Sequence, residues 1–271
     1  MLPQRVLVFD IETIPDVAAG RRLLGLEGLS DQEVVRAMRT RRLQKTGASD
    51  FLAHPYHQII AISVALRADE SLSIWSLGET NSDESKLLER FFDGIERFTP
   101  ILVSWNGSGF DLPVIHYRSL LHGVAGNRYW DIGESDRDFK WNNYLNRYHA
   151  RHLDLMDVLS GYQPRATAPL QEIALLLGFP GKMGMSGAVV WDKYQAGALD
   201  EIRHYCETDV LNTFLVYLQF EKARGNLSPA VLDKEHELLA DTLQQSAQSH
   251  LLEFLRAWKS LGRPEAVIAT D

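Results

Sequence analysis

The segment Val6-Leu7-Val8-Phe9-Asp10-Ile11-Glu12 constrains this chain more than any other. Its compact, β-branched apolar run predicts a short buried strand over residues 5–11. Side chains at i and i+2 of a strand share a face, so Asp10 and Glu12 project together while Phe9 and Ile11 point the other way. Two adjacent carboxylates at the end of a buried strand repel each other and lose solvation. They stay charged only beside something positive, and an all-oxygen site suits a hard divalent cation such as Mg²⁺ or Mn²⁺. Taken alone, the segment equally describes an exposed strand end with solvated acids.

The rest of the chain reads as strands followed by alternating strand and helix. Strands are expected at 58–66 and 72–77, joined by a turn at Arg67-Ala68-Asp69-Glu70. A helix over 83–98 carries Leu87, Leu88, Phe91, Phe92 and Ile95 on one stripe. A strand follows at 101–105, then helices to about Leu121, over 168–178, over about 199–223, and from Pro229 to Leu261. Residues 123–150 read as irregular. This order points to an α/β fold, one sheet flanked by helices.

Two further constellations lie on this frame. After the strand ending at Trp105, Asn106-Gly107-Ser108-Gly109-Phe110-Asp111 turns into a helix. The glycines permit tight backbone angles and close approach of a ligand, and Asp111 points back toward the sheet edge where α/β proteins bind ligands. In isolation Asp111 reads as a helix cap. Tyr205 and Asp209, four apart on a helix, share a face. In isolation they read as a core-margin tyrosine and a solvated acid.

Taken in order, Phe9-Asp10-Ile11-Glu12-Thr13, Asn106-x4-Asp111 and Tyr205-x3-Asp209 resemble the three motifs of the DEDD 3′–5′ exonucleases, in the subgroup with tyrosine in the third motif. Trp105-Asn106-Gly107-Ser108-Gly109-Phe110-Asp111-Leu112-Pro113 looks especially like the proofreading domains of family B DNA polymerases and the stand-alone polymerase-B-like exonucleases. His152-Leu153-Asp154-Leu155-Met156-Asp157 is similar to the stretch between those motifs. The resemblance covers roughly residues 5–220. It implies a ribonuclease H-like mixed sheet flanked by helices, with an exonuclease domain over 1–225, an insertion at about 16–56 and a helical C-terminal extension over 226–271. It further implies that Asp10, Glu12, Asp111 and Asp209 hold two divalent cations, Mg²⁺ or Mn²⁺, with Tyr205 orienting the attacking water. An unperturbed phenol, with a pKa of about 10, is a poor base at neutral pH. Thr13, Asn106 and Phe110 are the expected substrate contacts. The expected substrate is a nucleic acid with a single-stranded 3′ end. The same site on RNA, and a non-catalytic scaffold on this fold, are the alternatives. The four carboxylates and the tyrosine, all present, weigh against a scaffold.

Composition sets outer limits. The chain has 271 residues, a formal net charge of −8, and 45% hydrophobic and 24% charged residues. A broad basic surface for gripping duplex is not expected. One cysteine, Cys206, allows no internal disulfide and suggests a reducing, cytoplasmic setting. No apolar run approaches the roughly 20 residues of a membrane span. The 16–56 segment carries Arg21, Arg22, Arg36, Arg39, Arg41, Arg42 and Lys45, which describes a solvated helix or a basic flap guiding single strands. The rings of residues 128–151 describe either loop core or a stacking platform. Gly181–Gly187, with Lys182, reads as a loop closing over substrate or a plain connector. His152 and Asp154 lack a third metal partner, so Asp154 reads as a supporting residue.

Overall fold

The computed structural model describes residues 5–261; residues 1–4 and 262–271, the outer ends of the expected domain and extension, lie outside them. A five-stranded sheet forms the centre, in the order β3-β2-β1-β4-β5. The strands are β1 (Arg5–Pro15), β2 (His57–Ala68), β3 (Ser71–Ser76), β4 (Ile101–Ser104) and β5 (His152–Asp154). β1 pairs antiparallel with β2, and β2 with β3. β1 pairs parallel with β4, and β4 with β5. This is the mixed, helix-flanked sheet that the sequence implied. The helices are α1 (Val17–Leu24), α2 (Asp31–Thr46), α3 (Glu84–Phe98), α4 (Asp111–His122), α5 (Asn127–Trp130), α6 (Leu155–Leu159), α7 (Leu170–Leu176), α8 (Val190–Gln195), α9 (Leu199–Ala223), α10 (Pro229–Gln245) and α11 (Ser249–Leu261).

The two faces of β1 supply two cores. Val6 and Val8 pack with α9 through Val210, Leu211 and Phe214. Leu7, Phe9 and Ile11 pack with Leu88, Phe91 and Ile115 on the other face. Each such side chain stabilises the fold by roughly 1.5–3 kcal/mol when fully buried. Asp10 and Glu12 continue the Val6–Val8 row, so the strand's own alternation turns both carboxylates toward α9.

β1 is longer than expected, running to Pro15 rather than ending at residue 11. β2 pairs with it as far as Pro15↔His57, whereas β4 pairs only with Val6, Leu7 and Val8. Asp10 and Glu12 therefore sit inside a paired strand, yet beyond the end of its parallel neighbour, where the sheet opens. The register shifts between Glu12 and Thr13. Such a bulge re-aims the side chains that follow it, and Ile14 enters a separate cluster with Ile60, Val190 and Ile202.

α9 is buried from Tyr205 to Leu218 without interruption, as expected of a helix covered on all sides. The sheet covers one side, and α7, α10 and α11 cover the rest. The expected single helix from Pro229 to Leu261 is two helices. Ser246 leaves helical geometry (φ −68°, ψ 138°), and its hydroxyl accepts the Gln248 N–H at 3.2 Å, a local bond that competes with the helix ladder. α10 is fastened to β2 by a two-pronged pair, Arg67 Nε and Nη2 each donating to Glu235 at 2.8 Å. α11 is fastened to α9 by His250 and Glu207 at 2.7 Å.

The 16–56 segment folds as a helical hairpin, α1 and α2, on its own small core of Val34, Met38 and Leu52. Its entry is held by Arg118, which reaches both Asp16 and Glu84 in the interior. Among the rings of 128–151, Tyr129, Phe139 and Tyr144 are core, and Trp130, Trp141 and Tyr148 are exposed outside the carboxylate cleft. No helix among the described residues is long and apolar enough to cross a membrane.

Candidate active site

Asp10 and Glu12 on β1 and Asp209 on α9 bring one carboxylate oxygen each to within 4.8 Å of one another. They are the one such group among the described residues. The helix delivers Asp209 because α9 crosses the Asp10–Glu12 face of β1, with Cys206 one turn earlier against Asp10. The Cys206 thiol lies 3.4 Å from the Asp10 carbonyl and 3.5 Å from its Oδ2. Tyr205 and Asp209 face the same cleft, a space of ≈ 510 Å³ that Asp10, Glu12, Thr13, Phe110 and Lys182 also line.

Asp111 stands beside this trio without joining it. It does not cap its own helix; the cap position is Phe110, which offers no side-chain bond. Instead Asp111 Oδ1 accepts the Ile11 N–H at 3.1 Å. That bond ties the second motif to the first and fixes the backbone between Asp10 and Glu12.

The electrostatics are severe. Burial pushes Asp10 well above the usual carboxylate range, and the charges of Asp111, Glu12 and Asp209 push it further. Burial raises Glu12 likewise, with Asp209 adding to it. Burial raises Asp111 to about 7, against the pull of the backbone N–H of Asp111 itself and of Ile11. Asp209 is raised by burial to about 6, with Lys182 opposing. Lys182 is the only side-chain cation in salt-bridge range of the trio among the described residues, with Nζ 4.0 Å from Asp209 Oδ2 and 5.4 Å from the Tyr205 ring centre. Burial, then Asp209 and Glu12, pushes the Tyr205 phenol far up, so it keeps its proton at any physiological pH.

The donor set fits a hard divalent cation: all oxygen, convergent and short of positive charge. One atom makes the fit specific. Asp209 Oδ1 is buried and has no hydrogen-bond partner, a costly state for a carboxylate oxygen that a bound cation relieves.

The other expected contacts fall in different places. Thr13 Oγ1 bonds His57 Nδ1 at 2.9 Å on the cleft wall; burial lowers His57 to about 4, leaving it neutral. Phe110 sits among Phe51, His54 and His57, with ring centres 5.0–5.9 Å apart. Asn106 does not line the cleft. It adopts φ 65°, and its N–H, with that of Ser108, donates to the Asp154 carboxylate at 2.9 and 2.8 Å. Asp154 is therefore the post on which the Asn106–Asp111 turn is wound. The glycines there serve the chain's own packing: a Cβ on Gly107 would collide with Ser104 Oγ, and one on Gly109 with Asn106 Oδ1.

The sequence leaves Gly181–Gly187 open between a loop over substrate and a connector; it neither pairs Lys182 with a particular carboxylate nor gives His57 a role. Lys182 is a lone cation in a Gly/Met segment, and its position depends on α9. Gly181 is held to α9 by Asn212, whose amide nitrogen donates to the Gly181 carbonyl and whose oxygen accepts its N–H, both at 3.0 Å. An asparagine inside an apolar helix carries no signal of its partner; only the fold pairs Asn212 with the segment.

Comparison with known proteins identifies the family. Residues 49–258 match the family described as predicted 3′–5′ exonucleases related to the exonuclease domain of PolB, and the chain belongs to that family. The matched span includes Asp111, Tyr205, Asp209 and the C-terminal helices through Trp258, and begins after Asp10 and Glu12. It overlaps the expected 5–220 without coinciding with it. Among solved structures, the chain is similar to the family B DNA polymerase of the hyperthermophilic archaeon Pyrobaculum calidifontis, with 17% identity and a TM-score of 0.47 over 90% of this chain. This chain spans 29% of that polymerase chain. Nothing among curated proteins matched.

Proposed function

We propose that the protein is a divalent-metal-dependent 3′–5′ exonuclease. It hydrolyses the terminal phosphodiester of single-stranded DNA and releases nucleoside 5′-monophosphates. The observation that carries this reading is the convergence of Asp10, Glu12 and Asp209, with an unpartnered buried oxygen, beside a tyrosine on the same helix. Membership of the exonuclease family supports it.

Asp10, Glu12 and Asp209 would hold the cation, Mg²⁺ or Mn²⁺, and Asp111 would complete the set for a second one. Bound there, the cations supply Lewis-acid polarisation and neutralise charge on the phosphate. The chain's own groups do the rest. Tyr205, fixed as a protonated phenol, orients the attacking water by its hydroxyl and does not remove a proton from it. Lys182, beside Asp209, gives the substrate phosphate a further positive group. Asp111, through the Ile11 N–H, holds the β1 backbone so that Asp10 and Glu12 keep one geometry. The ring of Phe110, backed by Phe51 and His57, offers an apolar wall to the terminal base. Water oxygen attacks phosphorus, the bond to the 3′ oxygen breaks, and the departing strand keeps a 3′ hydroxyl.

The test is a 5′-labelled single strand of DNA, and a matched one of RNA, incubated with Mn²⁺, Mg²⁺ or EDTA. The expected result is a ladder that shortens from the 3′ end, needs metal and is absent in Asp10→Ala. An Asp10→Ala protein that still digests the strand would sink the assignment.

A further inference from the structure

The carboxylate cleft does not end at the carboxylates. Arg39, Asp50 and Trp191 line it, and the same three residues line a second depression of ≈ 430 Å³ that continues between α2 and α8. One wall is a single face of α2: Gln32, Val35, Arg36, Arg39 and Leu43 follow one another at helical spacing. The other wall is Trp191 with Asp192 and Gln195.

Both walls are built. α2 is seated on α1 by Val34 and Met38, and a Cβ on Gly20 of α1 would meet Met38 Sδ at 2.5 Å. Trp191 is half-buried against the Ile14–Ile202 cluster, and Tyr194 lies nearly parallel to it at 6.3 Å.

Two arginines of this hairpin are engaged by the chain itself, and two others line the trough. Arg21 is paired with Asp31, and Arg42 donates to the Phe51 carbonyl. Arg36 and Arg39 form no salt bridge among the described residues, although Glu33 lies near enough to Arg36 to feel its charge. Asp50 and Asp192 are on the rim of the same trough. The trough is thus close to neutral overall. It suits one or two phosphate contacts plus ring stacking, the combination that holds unpaired strands, and it lacks the many phosphate contacts that grip duplex.

We propose that the trough between α2 and α8 is the track for the single strand upstream of the nucleotide being removed, with Arg36 and Arg39 on backbone phosphates and Trp191 under a base. This rests on the exonuclease reading for its direction, since the strand must leave the carboxylates with its 3′ end among them. It assigns the helical hairpin a substrate role that the carboxylate site itself does not need.

The test compares two substrates and one binding measurement. The substrates are a single strand of about 20 nucleotides, well beyond one site of this kind, and the p-nitrophenyl ester of thymidine 5′-monophosphate, which reaches only the carboxylates. Binding of the labelled strand, as DNA and as RNA, is read by anisotropy in EDTA across a salt series. Arg36→Glu is expected to weaken strand binding about tenfold, to lower the salt slope by roughly one, and to leave ester hydrolysis within about twofold. Trp191→Ala should weaken strand binding by a similar factor, with Trp191→Phe restoring most of it, because a ring suffices for stacking. Strand binding unchanged in Arg36→Glu and Trp191→Ala overturns the track. Wild-type protein that cleaves neither substrate overturns the exonuclease reading instead, and the anisotropy series still decides whether the trough takes a strand.

Discussion

Two of the groups of acids in the interior of this molecule are solved in opposite ways. Asp16 and Glu84 share the Arg118 guanidinium: Arg118 bonds both, Glu84 accepts Arg118 Nε at 2.8 Å, and it takes the Ile59 N–H at 2.6 Å as well. Asp10, Glu12 and Asp209 have only Lys182 as a nearby cation among the described residues, and Asp209 Oδ1 has no hydrogen-bond partner. The first group carries its counter-charge in the sequence and reads as structure. The second is left short of positive charge, and its acids titrate far above their usual range. A fold keeps such a group when the missing cation comes from outside.

That contrast can be broken in four places. The largest effect is expected at the trio. Asp10→Ala or Asp209→Ala should cost several kcal/mol of transition-state stabilisation, about 10³-fold or more in kcat. Neither should lower the melting temperature of the metal-free protein, because each removes a repelling charge. A clear loss of stability in both would make the trio structural. Arg118→Ala should do the reverse. It strands two buried carboxylates and should cost about 3–5 kcal/mol in denaturant unfolding, while kcat per folded molecule stays near wild type.

The third effect is smaller and depends on pH. In the folded, metal-free chain Asp111 holds its proton to about pH 7 and Asp209 to about pH 6; in the unfolded chain both release it near the ordinary carboxylate value of about 3.9. Between those limits the folded state binds more protons, so these groups lower stability as pH rises. Cation binding needs the same protons gone. The rise in melting temperature on adding Mn²⁺ should therefore be small near pH 5 and grow through pH 8, and a rise that is flat with pH would contradict the site. The smallest effect is Tyr205→Phe, expected to reduce kcat about tenfold by loss of one orienting hydroxyl and to leave the Mn²⁺ shift intact. Loss of that shift would make the phenol part of the metal site.

Much of this was legible from the residues. The two-residue period of β1 alone puts Asp10 and Glu12 on one face, and the i, i+4 spacing alone pairs Tyr205 with Asp209. Helix α3 follows its apolar stripe. What the residues did not disclose depends on long-range placement. Asp111 caps a helix by every local rule, yet spends its oxygen on Ile11, a hundred residues away. Gly107 and Gly109 advertise room for a ligand, but the room is taken by Ser104 and Asn106. Lys182 reaches the carboxylates because Asn212 clasps Gly181, and no periodicity encodes that. Ser246 interrupts the last helix through one hydroxyl, inside a pattern whose apolar stripe runs on.

The thiol of Cys206 has a practical consequence. It is the chain's one cysteine, it lies in the seam between β1 and α9, and burial holds it firmly protonated. A thiol reagent needs the thiolate and needs access, so labelling can proceed only when that seam parts. The rate at which Cys206 reacts is then a built-in stopwatch for how often the two elements carrying the carboxylates separate, and its slowing under Mn²⁺ would time the tightening of the seam without any nucleic acid present.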